Sequence, residues 1–583
     1  MGLRDFSFPL NVYATLLAWT EGQVDYLHYG LYANADEGTP QAQQRASDLL
    51  WAQLPPPCRV LEVGIGLGTT LSRLGAAGYD AVGLTPDGAQ ADEARARHGA
   101  AIDVAVSRLE DLPTPAVRWH LMLLQESAQY IEPLALFEAA DRLLVKRGAT
   151  LLLMDEFALR RDGPQHAGLH LHSAFAELAS RFGWQLDHEA DVSDAAAHTL
   201  TALLRMLQRH RQRLIEQLLL TPVALDDLKL ALERYRDLYA QGVYGYRLMR
   251  LRRVLPPALT LTRIGAGQAA GMRELFTRSF GHALSPEEWR WKYGAGRGRG
   301  VGLWQGPQLV AHYGGMSRPV LLMGEPALAC QVGDVMVAPE VNAGLARRGA
   351  LHAVTATLLE AEIGWGLRHT VGFGFPNSRA MRLARRLGLY AQVDEIVALA
   401  WAGLAPSSQA AARAEAPVMA ASSLRESTPL WAELADLWRT MSGALLESAL
   451  GVRDPAWLRH RYGQRPGVPY ELLLCRDGMH GPLLGVAVLR QHPQSLELMD
   501  LIGDPSHFSG VVQRVRYEVQ RRQKARLDAW VTLSHAHLLD DANDPAQRPP
   551  LDVPVPANAH SPGFEPERLR GRWFLMSGDT DFR

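Results

Sequence analysis

Lysine is almost missing from this chain. Only Lys146, Lys229, Lys292 and Lys524 interrupt an otherwise all-arginine set of 60 basic residues. That bias belongs to coding habit and carries no mechanism. Cysteine is equally scarce: Cys58, Cys330 and Cys475 are odd in number and far apart. Such spacing excludes a disulfide framework and a zinc site, and it fits a reducing compartment. Charge of one sign is lacking too. The 60 basic residues face 62 acidic ones, a net charge of −2, which leaves no electrostatic footprint for nucleic acid or an anionic membrane. No apolar run approaches the roughly 18–20 residues of a membrane helix. The apolar stretch Phe6–Trp19 contains Pro9 and Asn11 and has no basic flank or cleavage site, so no signal peptide is expected. Phe6 also stands where a myristoylation signal following Gly2 needs Ser or Thr. The expected location is cytoplasmic, and no metal-ligand cluster is visible.

What is present is ample core. The 583 residues are 47% hydrophobic and 21% charged, enough for three or four domains at roughly 150 residues each. Residues 1–254 read as alternating strands and helices. Buried-strand candidates at Arg59–Val63, Asp80–Leu84, Leu121–Leu124 and Thr150–Met154 are separated by helical segments such as Glu132–Leu144. That alternation predicts an α/β domain with a parallel sheet wrapped by helices. Two later strands, Trp184–His188 and Tyr244–Leu251, flank a long helical region at Ala195–Ala240. After Pro256-Pro257, residues 258–403 change to short Gly- and aromatic-rich strands, a helix at about Ala350–Ile363 and a strand at Thr370–Phe375. An Ala/Ser/Pro-rich segment, 404–423, is expected to be a linker. It leads into a further domain, 424–583, in which the Pro-rich stretch Ala542–Gly563 is expected to be a loop.

Two landmarks repeat. Trp291-Lys-Tyr-Gly294 matches His460-Arg-Tyr-Gly463, an offset of 169, and Asp334…Pro339 matches Asp500…Pro505, an offset of 166. Nearly equal offsets predict one fold used twice.

The run Val60-Leu-Glu-Val-Gly-Ile-Gly-Leu-Gly68 closes a strand and opens a helix with three alternate glycines. Its third glycine comes too early for the dinucleotide pattern G-x-G-x-x-G. The stretch instead resembles the first motif, E/D-x-G-x-G-x-G, of class I S-adenosylmethionine (SAM)-dependent methyltransferases. On that resemblance Glu62 organises the methionine end of SAM, and Gly64, Gly66 and Gly68 give the nucleoside room. At the end of the second strand, where most of the family has a ribose-gripping acid, stands Thr85, with Asp87 two residues on. Gly83-Leu-Thr-Pro-Asp87 is closer to the small-molecule and cyclopropane-type enzymes. Leu109 and Glu110 fall where adenine-edge residues lie. Gln125-Glu-Ser-Ala-Gln-Tyr130 resembles the segment lining the sulfonium. Leu27-His28-Tyr29-Gly30 resembles a lid that closes over SAM in tocopherol- and sarcosine-type enzymes. Methyl transfer from a sulfonium needs positioning above all, and a base only for a protonated acceptor. Candidates for the base are Glu126, Tyr130 and His170, with His172 close behind. Helices 195–240 are expected to cover the acceptor pocket, with the basic cluster Arg205–Arg213 as a solvated face.

Cys330–Ala353 reads as strand, proline, basic-glycine pair, then helix, and resembles motif A of the GNAT acyltransferases. The resemblance implies a coenzyme A cradle at Arg347, Arg348 and Gly349, built on loop amides and a helix N-terminus. It also implies an oxyanion-holding strand at Met336–Val337. Asn377 and Ala380 match a second GNAT signature, but the tyrosine expected at 384 is Ala384, leaving water or Tyr390 to serve the departing thiolate. His312 and Asp334 are the candidate bases for the incoming amine, each with a strand- or loop-fixing role as the alternative. Residues 424–583 keep Arg461-Tyr-Gly463 and Asp500…Pro505 without the glycine cradle, so they are expected to be a degenerate GNAT-like copy.

The expected architecture is therefore a Rossmann-like methyltransferase domain followed by two GNAT-like α+β domains. The expected cofactors are SAM and acetyl-CoA or another acyl-CoA. The expected partner is a small-molecule substrate, free or held on a carrier protein, with no nucleic acid, no membrane and no metal. The oligomeric state is not readable. An inactive GNAT-like binding module, and modification of protein amines, stand as alternatives to a bifunctional enzyme.

Overall fold

The computed structural model describes residues 2–34, 36–254, 257–339, 341, 349–405, 416–426, 428–478, 481–541, 543–580 and 582. The chain divides into two compact units, Met1–Thr262 and Arg263–Arg583.

The first unit is built on one sheet of seven strands: β1 Arg59–Val63, β2 Asp80–Thr85, β3 Asp103–Val106, β4 Leu121–Gln125, β5 Thr150–Ala158, β6 Gln185–Asp191 and β7 Tyr244–Arg252. Their order is β3-β2-β1-β4-β5-β7-β6. Strands β3 to β5 run parallel, and β7 inserts antiparallel between β5 and β6. β5 is buried along its whole length, as a strand covered on both faces must be, which is why it reads as an unbroken apolar run. The order reverses between β1 and β4. In doubly wound sheets the crevice at the carboxyl ends of such a pair is where ligands bind. The helical region expected at 195–240 is two helices, Ser193–Leu218 and Pro222–Ala240. Pro222 cannot continue the first, and Thr221 starts the second by accepting the Ala224 N–H at 3.2 Å.

The second unit contains two sheets of matching design. One places β8 Thr260–Arg263, β9 Gly298–Gln305, β10 Gln308–Leu322, β11 Glu325–Val337 and β12 Val371–Phe373 side by side in that order. β9 to β11 are antiparallel, and β12 is parallel to β11 across the helix Ala350–Glu362. The other runs β14 Val418–Ala420, β16 Glu471–Arg476, β17 Leu483–Gln491, β18 Ser495–Gly503 and β19 Arg526–Thr532. It has the same senses, with β19 parallel to β18 across the helix Phe508–Arg521. A bulge recurs as well, opposite Tyr313 in the first copy and after Val488 in the second. The fold is thus used twice, as the landmark offsets predict.

The copies share strands. β13 Tyr390–Ala402, which follows the first copy, lies in the second sheet between β19 and β20 Val553–Asn558. β15 Ala449–Gly451 pairs with β10, and β21 Trp573–Phe574 pairs with β15. Residues 406–415, the heart of the expected linker, lie outside the described residues. The Pro-rich stretch 542–563 is not all loop: it supplies β20, whose prolines Pro554 and Pro556 are tolerated because the strand is at the sheet edge.

The landmark tetrapeptides earn their recurrence. The Tyr293 hydroxyl donates to Asp334, and the Tyr462 hydroxyl donates to Asp500 at 2.9 Å. Trp291 and His460, equivalent positions in the two copies, touch each other. The indole N–H donates to the His460 carbonyl at 2.9 Å, and the rings stack at 5.6 Å.

Candidate functional site

A cavity of about 570 Å³ opens at the β1/β4 reversal. Twelve of the residues singled out from sequence line it: His28, Tyr29, Glu62, Gly64, Gly66, Thr85, Asp87, Leu109, Glu110, Gln125, Glu126 and Tyr130. They come from the lid segment and from the ends of β1, β2 and β4 together with the loops that follow the parallel strands.

The glycines are needed sterically. Gly64 has φ +81°, and a Cβ there would lie 2.5 Å from Ser127 Cβ, so no other residue fits. Gly68 has φ +76° but does not line the cavity. A Cβ there would meet Ala94 at 2.9 Å, so this glycine lets two helices close up. Glu62 is 4% exposed, and its Oε2 has no hydrogen-bond partner among the described residues. Burial pushes its pKa up to about 8. A buried acid beside an open cavity with an unmet acceptor fits the ammonium of an amino-acid moiety. Asp87 caps the helix Gly88–His98, accepting from the Ala89 N–H at 2.9 Å, while Thr85 Oγ1 accepts from the Asp87 N–H at 3.2 Å. Glu110 pairs with Arg108 at 3.3 Å on the rim, and Leu109 is buried.

Glu126 sits at φ +53°, an unusual conformation for a residue with a side chain. Its Oε1 accepts from the Tyr29 N–H at 2.5 Å and the Tyr246 hydroxyl at 2.6 Å. It therefore ties the lid to β7, and the Tyr29 and Tyr246 rings stack at 5.9 Å. Burial, with Glu156 and Asp155 nearby, raises the Glu126 pKa well above the carboxylate range despite those donors. His28 is buried and neutral, its pKa pushed down to about 4 by burial. It lies 2.8 Å from the Tyr29 carbonyl and 3.2 Å from Ser47 Oγ, so it holds lid backbone. Tyr130 is exposed at the mouth. His170 does not line the cavity. Its Nε2 lies 3.2 Å and 2.9 Å from the Ala128 and Ile131 carbonyls, which fixes the turn carrying Tyr130. His172 pairs with Glu189 at 2.7 Å.

Sequence reading missed Tyr246 and the cavity's apolar wall. Leu203 and Leu207 on one helix, and Leu228 and Leu232 on the next, line the cavity at i, i+4 spacing. Their periodicity was visible as helix amphipathicity; which face met a ligand space was not. As expected, the basic cluster stays at the surface: Arg211 pairs with Asp226 at 2.8 Å, and Arg213 lies over Trp19 at 4.0 Å.

In the second unit, β11 and β12 pair only from Ala329↔Val371 to Gln331↔Phe373. β12 ends at Phe373, so Val332–Val337, including Met336 and Val337, runs on without a β12 partner towards the turn before the helix that Gly349 caps. Arg347 and Arg348 lie outside the described residues. Asn377 caps the helix Ser378–Arg386, accepting the Ala380 N–H at 2.9 Å. Asp334 is enclosed: Lys292 Nζ lies 2.8 Å and 2.7 Å from its two oxygens. Burial pushes its pKa up, but the Lys292 ammonium outweighs it, and the net shift is downward. This acid is committed to an ion pair. His312 lies 2.7 Å from the Asp334 carbonyl through Nδ1, while its Nε2 is buried without a partner among the described residues. Burial lowers its pKa, so the ring is neutral. Tyr390 is buried, its hydroxyl 2.6 Å from that of Tyr313.

Residues 261–392 match the family model described as an acetyltransferase (GNAT) domain. No curated protein matches the chain. Among solved structures, a putative sarcosine dimethylglycine methyltransferase from Galdieria sulphuraria is similar at 17% identity and TM-score 0.37, over 41% of this chain and 97% of that one. An O-methyltransferase of a polyketide synthase multienzyme of Brevibacillus brevis, in complex with S-adenosyl-L-homocysteine, is similar at 18% identity and TM-score 0.33, over 40% and 85%. A probable N-acyltransferase from Enterococcus faecalis V583 is similar at 13% identity and TM-score 0.39, over 52% and 73%. The stretch that matches the GNAT acetyltransferase domain, residues 261–392, falls in the first of the two copies in the second unit.

Proposed function

We propose that the first unit methylates a small molecule with SAM as donor, and that the first GNAT-like copy transfers an acyl group, acetyl in the simplest case, from acyl-CoA to an amine. The observation that carries the first half is the cavity gathering twelve dispersed residues around a buried carboxyl, Glu62, whose Oε2 has no hydrogen-bond partner among the described residues. Glu62 would accept from the donor's ammonium, and Gly64 and Gly66 would let backbone approach it. Thr85, Asp87, Leu109 and Glu110 would line the nucleoside, and Gln125 the sulfonium. When bound, SAM supplies a methyl group on an already activated sulfonium, so this chain's work is orientation and exclusion of water. Leu203, Leu207, Leu228 and Leu232 provide that exclusion and favour an acceptor with an apolar body. Glu126, whose pKa burial raises, would take the proton of an acceptor that arrives protonated.

In the second unit, the Met336–Val337 strand would hold the thioester oxygen. The helix N-terminus at Gly349, with Arg347 and Arg348, would hold pyrophosphate. Of the two candidate bases, His312 keeps a ring nitrogen without a partner, whereas Asp334 is ion-paired. Ala384 and the enclosure of Tyr390 favour a second reading, in which this copy binds an acyl donor or carrier-held substrate without transferring the group. Joining both activities in one chain fits successive steps on one specialised-metabolite intermediate in the cytoplasm. The test is a thermal shift with each donor alone. SAM is expected to raise the melting temperature by mass action, and its failure to do so ends the methyltransferase reading. Acetyl-CoA binding lost in Arg348→Ala supports a donor site; wild-type protein that ignores acetyl-CoA removes it.

A further inference from the structure

In the second copy the strands equivalent to β11 and β12 part from each other. β18 and β19 pair from Ser495↔Arg526 to Leu498↔Ala529 and then part, although β18 runs on to Gly503 and β19 to Thr532. That opening is filled by the chain itself. The segment 573–580 takes up the edge of β19 where β18 leaves it. Met576 bridges antiparallel to Val531, the Thr532 N–H donates to the Leu575 carbonyl at 3.0 Å, and the Trp530 N–H donates to Ser577 Oγ at 3.1 Å. On the β18 side the fit is so close that a Cβ on Gly578 would lie 2.9 Å from the Met499 carbonyl oxygen and into the Tyr462 hydroxyl.

The charges holding this segment are the duplicated landmarks put to new use. In the first copy Lys292 pairs with Asp334. Its counterpart Arg461 instead donates to the Gly578 and Thr580 carbonyls at 3.0 and 2.8 Å. Asp500 is held by Arg453 at 2.7 Å, and Arg453 reaches on to Asp579 at 2.5 Å. Asp579 also meets Arg318 at 3.3 Å, and its carbonyl accepts from Gln331 of the first copy at 2.6 Å. Ser577, Asp579 and Thr580 are all at most 1% exposed. Unpaired strand edges are what extended ligands add to. An occupant that is covalently part of the chain is present at an effective concentration a free ligand does not match.

We propose that segment 573–580 is a permanent internal ligand of the second copy, so that the chain has a single acyl-CoA site, in the first copy between β11 and β12. The proposal rests on the acyl-donor reading of the first copy. Its test is coenzyme A titration of the full chain combined with hydrogen–deuterium exchange. One coenzyme A per chain is expected, with new protection in 332–337 and at Gly349 and none in 499–503. Two per chain, or protection in 499–503, overturns the proposal while leaving the acyl-donor reading standing. No binding at all overturns that reading and the one-site count with it. The sealing itself is read without ligand. Gly578→Ala is expected to speed exchange across Trp530–Thr532 at least tenfold, whereas Gly510→Ala, where a Cβ meets nothing within 4 Å, leaves it unchanged. Unaltered exchange in Gly578→Ala overturns the sealing. If that variant does not fold, Ser577→Ala removes only the acceptor of the Trp530 N–H, and that amide is expected to exchange about fivefold faster; no change there has the same consequence.

Discussion

The two units treat buried acids in opposite ways. In the first, Glu62, Asp155 and Glu156 are buried with hydroxyl or backbone donors at most, and burial raises their pKa values to about 8, 7 and 7. In the second, Asp334, Asp500 and Asp579 each meet a lysine or arginine within 3.3 Å. A buried charge without a counter-ion is costly, and a charge paired with a fixed side chain is silent towards ligands. The first arrangement leaves acids that can ionise when a cationic ligand pairs with them; the second commits its acids to joining the two copies.

The contrast can be broken most forcefully at Arg453. Replacing it with methionine leaves Asp500 and Asp579 without their shared cation and is expected to destabilise the second unit by about 3–5 kcal/mol, measured by calorimetric unfolding, with SAM binding unaffected. A stable Arg453→Met protein would mean the network contributes little. Next in size is Glu62→Gln. It removes a carboxyl that can ionise against the donor's ammonium, and SAM affinity is expected to fall about 10- to 100-fold while the melting temperature of the free protein holds or rises; unchanged affinity in a titration would deny Glu62 its role.

The pH response should divide the units too. The raised carboxyls of the first unit bind protons in the folded state that the unfolded state has released. Their contribution is full below the ordinary carboxylate range and is lost as pH rises through about 7 to 8. Free protein is therefore expected to lose stability in its first unit between pH 6 and 8.5, and Glu62→Gln should flatten that slope; a flat wild-type profile contradicts the assignment. The smallest effect tests the duplication. Tyr293→Phe and Tyr462→Phe each remove one hydroxyl donor from a buried aspartate and should each cost about 1–3 kcal/mol in denaturant unfolding. A large cost in one copy and none in the other would show that the matching hydrogen bonds do unlike jobs.

Much of the site was legible because local rules write it. The alternate glycines 64, 66 and 68 report a turn only glycine can make, and the acid two residues earlier travels with them. What escaped was partnership across distance. Glu126 could be named as a candidate, but not its donor Tyr246, 120 residues away. Asp334 was read as a possible base because nothing local reveals Lys292 lying 42 residues off. Asn377 matched a cofactor signature, yet its oxygen is used as a helix cap.

Sequence alone determined the main strands and helices of the first unit, the turn at the first strand, and the two landmarks that betray a repeated fold. These depend on neighbours within a few residues, so composition and spacing encode them. Tertiary structure alone decided which buried acids acquire cations, that Trp291 and His460 meet, and that 573–580 fills the opening between β18 and β19. Those outcomes follow from strand order and register, which bring together residues that have no sequence relation until the sheets close.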